Sequence, residues 1–277
     1  ESTHGIFNVK AVPMATESEL PAIALTVEQR KSLQSVLNIG GRVKVVEKGK
    51  VRDIGPGEML PAGPFATLDI NYRDVPIGDR HLEALRHVPP VHNMLHLGST
   101  NVTDDGLLAV SEFPGFATIR DLTLTNQPIT DRGLAAVKKF KQLEILGLMN
   151  AKVTDAGLVH LKGLPLKKLG LTNCEGVTAK CLESLVKVER LAHLDLDNVA
   201  ISNTDLGQFA KFKKLEALSL KGSNITDEGL EKFHLLTTLT SLALEKCKLS
   251  KAALENLAKS MPGCTIYSDL GIFLVKK

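Results

Sequence analysis

Apolar positions recur in short alternating bursts along most of the chain. Runs of the form apolar, any residue, apolar stand at 68 (LDI), 95 (LHL), 122 (LTL), 146 (LGL), 169 (LGL), 194 (LDL), 218 (LSL), 242 (LAL) and 266 (IYS), separated by 27, 27, 24, 23, 25, 24, 24 and 24 residues. Strict alternation over three to five residues predicts a strand with its leucines turned to the core. After four of these bursts comes one phrase: NVTDDGL at 101–107, PITDRGL at 128–134, KVTDAGL at 152–158 and NITDEGL at 224–230. Its Thr is placed to cap a helix by accepting an orphan backbone N–H. Asp131, Asp155 and Asp227 then fall in the first helical turn, where negative charge suits the dipole. Leu158 and Leu161 face back onto the strand. Each unit therefore predicts a strand, a turn and a short helix, and a period of this length marks a repeat architecture.

The pattern L-x-x-L-x-L-x-x-N-x-[I/V]-T-D-x-G-L resembles the bacterial leucine-rich repeats of the ribonuclease-inhibitor-like and cysteine-containing classes, over about residues 65–270. The resemblance implies an α/β fold: a leucine-rich repeat solenoid, or horseshoe, of about eight repeats with a parallel β-sheet on the concave face and short helices on the convex face. It also implies a non-catalytic module for protein recognition. Strands spaced about 4.8 Å apart beside helices needing 8–10 Å bend such an array with its strands inward. Two units depart from the phrase. CEGVTAKCL has Ala179 for Asp and Cys181 for Gly, and VAISNTDL breaks the register of the turn.

A solenoid leaves an apolar face open at each end unless it is capped. Residues 25–64 predict an N-terminal cap. Thr26 and Gln29 form a capping box, Leu33, Val36 and Leu37 mark one helical face, Gly40 and Gly41 stop the helix, and VKVVEKGKV reads as a hairpin. Residues 65–277 form the repeat domain, with a C-terminal cap from about 264, and 1–24 read as a loosely packed leader or linker. HVPPVHN at 87–93 and FPGFA at 113–117 lengthen two helix-to-strand connections, as longer turns or a lip.

Composition narrows the function. A formal net charge of +3, two Tyr and no Trp do not make the basic, aromatic surface that nucleic acid needs. No apolar run reaches the roughly 18 residues of a membrane span. P-loop, G-x-G-x-x-G, H-E-x-x-H and G-x-S-x-G motifs are absent, so no catalysis and no cofactor are expected. The four cysteines, Cys174, Cys181, Cys247 and Cys264, lack metal spacings and are expected as free thiols. Opening on Glu rather than Met leans towards export to a bacterial envelope or the exterior.

The binding face is then expected on the concave sheet, at the positions between and beside the strand leucines. The column between them reads Asp69, His96, Thr123, Gly147, Gly170, Asp195, Ser219, Ala243 and Tyr267. Gly147 and Gly170 leave a bare strip for close backbone approach. Ile145 and Met149 supply apolar contact, while Lys168, His193, Asp195 and Asp197 orient a partner by charge. A metal at His193, Asp195 and Asp197 is disfavoured, since same-face neighbours on one strand stand about 7 Å apart. Asp69 beside His96 invites a dyad without a nucleophile other than Thr123. The expected role is a monomeric module that binds a protein. The alternatives are an enzyme or substrate-binding subunit acting on a glycan or cell-wall polymer, and a structural spacer in an envelope assembly.

Overall fold

The computed structural model describes residues 20–276, so most of the expected leader, residues 1–19, lies outside the described residues. The described residues fall into two compact units, 20–152 and 153–276.

The first unit opens with α1 (Val27–Asn38), where Thr26 and Gln29 close a reciprocal capping box. Gly40, at φ 99°, ends the helix in a conformation only glycine adopts freely. A Cβ on Gly41 would stand 2.7 Å from the Tyr72 ring, so the chain leaves α1 against the first repeat. The hairpin follows as β1 (Arg42–Glu47) and β2 (Lys50–Ile54), turned at Lys48 and Gly49 with positive φ. The strands β3 (Ala66–Asn71), β4 (Val91–His96), β5 (Asp121–Thr123) and β6 (Ile145–Gly147) complete a sheet of order β2-β1-β3-β4-β5-β6. β1 pairs antiparallel with β2 and β3, and the repeat strands pair in parallel. α2 (Asp79–Leu82), α3 (Asp104–Val110) and α4 (Asp131–Val137) return the chain between strands.

The second unit holds β7 (Lys168–Gly170), β8 (His193–Asp195), β9 (Ala217–Ser219), β10 (Ser241–Ala243), β11 (Thr265–Ser268) and β12 (Gly271–Phe273) in sequence order. All pair in parallel except the terminal hairpin β11–β12. Its connections are mostly 3-10 turns, at Gly157–Leu161, Ala179–Cys181, Leu206–Lys211 and Asp227–Leu235, with α5 (Leu182–Leu185) and a longer α6 (Lys251–Ser260). In both units the strand leucines, from Leu122 and Leu146 to Leu218 and Leu242, are fully buried.

Each repeat turns at one left-handed residue, two positions past the second strand apolar. Asp74, Ser99, Asn126 and Asn150 fill this place in the first unit, and Asn173, Asn198, Gly222 and Lys246 in the second, all with φ between 56° and 69°. Asn tolerates this region better than most side chains, which explains its recurrence. The turn extends the ladder: Asn126 N–H donates to Met149 O at 2.8 Å, and Asn198 N–H to Lys221 O at 2.7 Å.

The Thr caps form as expected in three of the four phrases; in NITDEGL the Thr226 hydroxyl makes no cap and accepts from Asn203 Nδ2 at 2.8 Å instead. The hydroxyls of Thr103, Thr130, Thr154 and Thr178 accept the N–H two residues on. Asp131 and Asp227 stand in the first helical turn as expected, Asp155 precedes its 3-10 turn, and the Asp of the phrase has a further employment. Its carboxylate reaches the Thr of the next repeat, accepting both N–H and O–H: Asp79 from Thr103 at 2.8 and 2.6 Å, and Asp155 from Thr178 at 2.9 and 2.7 Å. Asp104 binds Thr130 in the same way, and Asp227 accepts the Ser250 N–H at 2.8 Å. The Gly of the phrase follows from this. A Cβ on Gly106 would lie 2.2 Å from Asp79 Oδ1, and one on Gly133 2.4 Å from Asp104 Oδ1. Thr, Asp and Gly are thus three parts of one inter-repeat clasp.

The irregular repeats obey the same chemistry. In VAISNTDL, Ser202 and Asn203 take the Thr and Asp places, and Asn203 exchanges hydrogen bonds with Thr226 at 3.1 and 2.8 Å. Ala179 supplies no carboxylate to Ser202. Asp205 occupies the Gly place and accepts from Ser202 N and Oγ instead, at 2.9 and 2.7 Å.

Several expectations need correction. Ile23 bridges Phe65 in both directions, and Leu20 packs on Val46, Ala66 and Leu68, so the end of the expected leader belongs to the first unit. HVPPVHN is half strand, since β4 begins at Val91. FPGFA is the longer turn of the two alternatives, a 3-10 turn at Pro114–Phe116 whose Phe113 and Phe116 are buried and whose Gly115 would bring a Cβ to 2.5 Å from the Val88 carbonyl. The C-terminal cap buries Cys264 and Ile266 but turns Leu270, Ile272 and Leu274 to solvent.

Candidate recognition face

The first repeat is shifted by two residues from its expected register. Ile70, not Leu68, pairs with Leu95, and Asn71, not Asp69, stands beside His96. Tyr72 is buried at the second apolar place, and the left-handed turn follows at Asp74. LDINY offers three alternating apolar positions, and alternation alone does not choose between the two pairs. The Asp69–His96 dyad therefore does not exist. Asp69 is buried with Lys44 Nζ at 3.0 Å and Asn93 Nδ2 at 2.6 Å. His96 accepts the Gly98 N–H at 3.1 Å, and burial depresses its basicity.

In the first unit the face away from the helices carries Met94, Asp121 and Ile145 in one column and His96, Thr123 and Gly147 in the next. Ile145, Gly147 and Met149 are half-buried. A Cβ on Gly147 would make only ordinary contact, 3.7 Å from Thr123 Cγ2, so the backbone does not demand a glycine there.

In the second unit Lys168 pairs with His193 and Gly170 with Asp195. Lys168 and Asp195 are each 4% exposed, Asp197 is 9% exposed, and Gly170 is buried, whereas a display in open solvent was expected. A bulky side chain at Gly170 would therefore not project freely into water. Burial of charge on this scale is costly unless hydrogen bonds return the loss. Asp195 accepts from the Thr172 hydroxyl at 2.7 Å and the Asp197 N–H at 3.0 Å. Asp197 accepts from the Ser219 hydroxyl and from the Lys221 N–H at 3.0 Å. Lys221 in turn meets Glu245 at 3.3 Å. Desolvation still dominates. It raises both carboxyls above the usual range, Asp197 to about 6 with a further push from the charge of Asp195. His193 is driven down to about 4 by burial and by the neighbouring Lys168 cation, so its imidazole is neutral at neutral pH.

Sequence reasoning missed what lies beside this cluster. Ser241 is 5% exposed, and its Oγ and the His193 Nδ1 are buried without a hydrogen-bond partner among the described residues. The two stand in one column with only the methyl group of Ala217 between them. Ser241, Lys221 and Glu245 could have been found by reading every strand's flanking positions rather than the central strands alone; Ser219 was already in the expected column. Tyr267 and Ile272, paired across the terminal hairpin, continue the face with apolar surface. Among the described residues no group of three His, Cys, Asp or Glu side chains is placed to hold a metal ion. No helix of the described residues is long and apolar enough to cross a membrane.

A family model described as "Leucine Rich repeat" matches residues 213–233, which run from the approach to β9 into the following 3-10 turn. That segment, one unit of the array, is similar to a leucine-rich repeat. F-box protein FBX14 of Arabidopsis thaliana is 30% identical over 142 residues, which are 50% of this chain and 22% of that protein. Antagonist of mitotic exit network protein 1 of Eremothecium gossypii is 27% identical over 210 residues, 73% of this chain and 51% of that protein. The chain thus spans about half or less of the length of both relatives. The crystal structure of internalin C2 from Listeria monocytogenes superposes with a TM-score of 0.54 at 20% identity, covering 72% of this chain and 80% of that one. The alternation of strand and short helix is therefore a leucine-rich-repeat fold similar to that of the internalin.

Proposed function

We propose that the chain is a recognition module that binds a protein partner on the strand face of its leucine-rich repeats. The observation that carries this reading is the pair of buried, unsatisfied polar atoms, His193 Nδ1 and Ser241 Oγ, on either side of Ala217. A buried hydrogen-bonding atom without a partner costs about 1–3 kcal/mol, which a ligand returns by supplying one. Two strands apart, the atoms are separated by about 10 Å along the sheet, a distance spanned by a few residues of extended polypeptide with its own N–H and C=O groups. The flanking charges of Lys168, Asp195, Asp197, Lys221 and Glu245, with Gly170, orient such a segment in the second unit; the strand face of the first unit, with Ile145, Gly147 and Met149, is a separate candidate surface.

The test is selection of peptide ligands from a displayed library against the intact chain, followed by binding measurements on variants. His193→Ala with Ser241→Val should weaken the selected ligands roughly tenfold or more, with little change in melting temperature. Lys213→Glu, on an exposed residue outside the strand face, should leave binding unchanged. Ligands that ignore the double substitution and fail on Lys213→Glu would place recognition elsewhere.

A further inference from the structure

The strand face of the second unit holds a third orphan beside His193 Nδ1 and Ser241 Oγ. Glu245 Oε1 meets Lys221 Nζ at 3.3 Å, whereas Glu245 Oε2 is buried without a hydrogen-bond partner among the described residues. The imidazole nitrogen and the hydroxyl can each donate or accept, according to tautomer or rotation. A carboxylate oxygen only accepts, so Glu245 fixes what a ligand must bring there: a donor. Glu245 stands four residues after Ser241 on the same face, where the ladder continues past β10 and the Gly222 N–H donates to Glu245 O at 2.9 Å. Ala243 lies between the two and pairs with Tyr267 of β11. The half-buried Tyr267 is one strand over and one same-face step back from Glu245, which puts their backbones about 8 Å apart. Ala243 contributes only a methyl group, so β10 sets no large side chain between the ring and the carboxylate.

The surrounding charge selects the kind of donor. Lys221 stands among three carboxylates: it contacts Glu245, and where desolvation raises Asp195 and Asp197 its cation opposes that rise. The second ammonium, on Lys168, lies beside His193 at the far corner of the cluster. Negative charge is therefore in excess around Glu245. A cation is drawn there by that excess and by the face of the neighbouring aromatic ring. We propose that the partner segment presents a lysine or arginine side chain at this corner, its cationic head donating to Glu245 Oε2 and its stem lying over the Tyr267 ring. An acidic side chain would meet like charge in this place, and an apolar one would leave the oxygen buried and unpaired. Running along β10, an extended segment that engages Ser241 reaches Glu245 about four residues later, so the basic residue holds a fixed place in the ligand. This inference rests on the strand-face reading and adds to it the chemistry of one ligand residue.

Peptides selected from a displayed library against the full chain test it, retaining those that His193→Ala with Ser241→Val weakens. The retained peptides should share a Lys or Arg at one position. Changing that residue to Met, which keeps the stem and removes the charge, should weaken binding roughly tenfold. This substitution leaves the protein's own fold untouched. Glu245→Gln should weaken the basic peptides to the same extent and the Met peptides hardly at all, because one contact is lost either way. Tyr267→Leu should weaken the basic peptides by roughly threefold. Circular dichroism should show both variants folded as the native chain is. Retained peptides without a shared basic residue, or basic peptides that bind Glu245→Gln or Tyr267→Leu unchanged, would overturn this inference and leave the strand-face reading standing. A selection that yields no peptide sensitive to the His193 and Ser241 substitutions would overturn both.

Discussion

Removing the carboxylate of Asp79 should expose how neighbouring repeats hold together. Asp79 accepts the N–H and the O–H of Thr103, at 2.8 and 2.6 Å, and its Oδ1 occupies the space that a Cβ on Gly106 would need. Hydrogen bonds to a charged acceptor contribute about 1.5–3 kcal/mol each. Thr103 is only half-buried, so water recovers part of the loss, and Asp79→Ala should destabilise the first unit by about 2–3 kcal/mol. Asp79→Asn should cost below about 1 kcal/mol, because Asn203 already performs this task for Thr226 within the same chain. Gly106→Ala in the native background forces a Cβ to 2.2 Å from the carboxylate oxygen and should cost about 1–3 kcal/mol. In the Asp79→Ala background that obstacle is gone and only the Leu82 Cδ1 methyl, at 2.9 Å, has to rotate aside. There Gly106→Ala should become neutral or stabilising, since alanine is about 1 kcal/mol the better helix former. The double-mutant cycle should therefore show a coupling of about 2 kcal/mol. Repeat arrays often unfold in more than one step, so the local readout is hydrogen exchange at the Thr103 amide, with melting temperature as the global one. Additive effects, or an Asn variant as costly as the Ala variant, would refute the clasp.

Two further predictions concern titration and thiols. Burial raises Asp197 to about 6, so its contribution to stability is greatest below the unfolded carboxylate range and is lost as pH rises towards 6; Asp195 acts in the same direction. His193, lowered to about 4, contributes stability above its unfolded value near 6.5 that is lost as pH falls towards 4. The two trends oppose each other between about pH 4 and 6.5. Asp197→Asn should leave stability rising with pH across that window and His193→Gln should leave it falling, as thermal melts along a pH series would show; identical slopes in both variants would contradict the assignment. All four cysteines are free, and Cys174, Cys181 and Cys264 are buried. Burial pushes Cys247 and Cys264 up to about 11 and raises Cys181 as well. At mildly alkaline pH the half-buried Cys247 should react first and slowly with a thiol reagent, and all four should react at once in denaturant; rapid native labelling of Cys181 would disprove the packing.

The sequence by itself determined whatever depends on local period. Alternation in LTL or LSL fixes a strand and its buried leucines. Thr in TDxGL fixes a cap at Thr103, Thr130 and Thr154, though not at Thr226, and Thr26 with Gln29 fixes the reciprocal capping box, because these involve groups within a few residues of one another. Contacts between residues 23 to 27 apart were left to the tertiary structure. The Asp-to-Thr clasp is invisible in one repeat, since the carboxylate and its donors belong to different repeats, and the glycine it requires then looks like a helix-start preference. Register failed at LDINY for a related reason: Leu68, Ile70 and Tyr72 all alternate, and only pairing with Leu95 and the turn at Asp74 decides which two enter the core. The candidate face was legible as a set of positions, because side chains flanking the strand leucines must point away from the helices. Its chemistry was not. Whether Lys168, His193, Asp195 and Asp197 meet water or lose it depends on how strands stack side by side, and desolvation, which sets their charge states, is a property of that stack rather than of any residue in it.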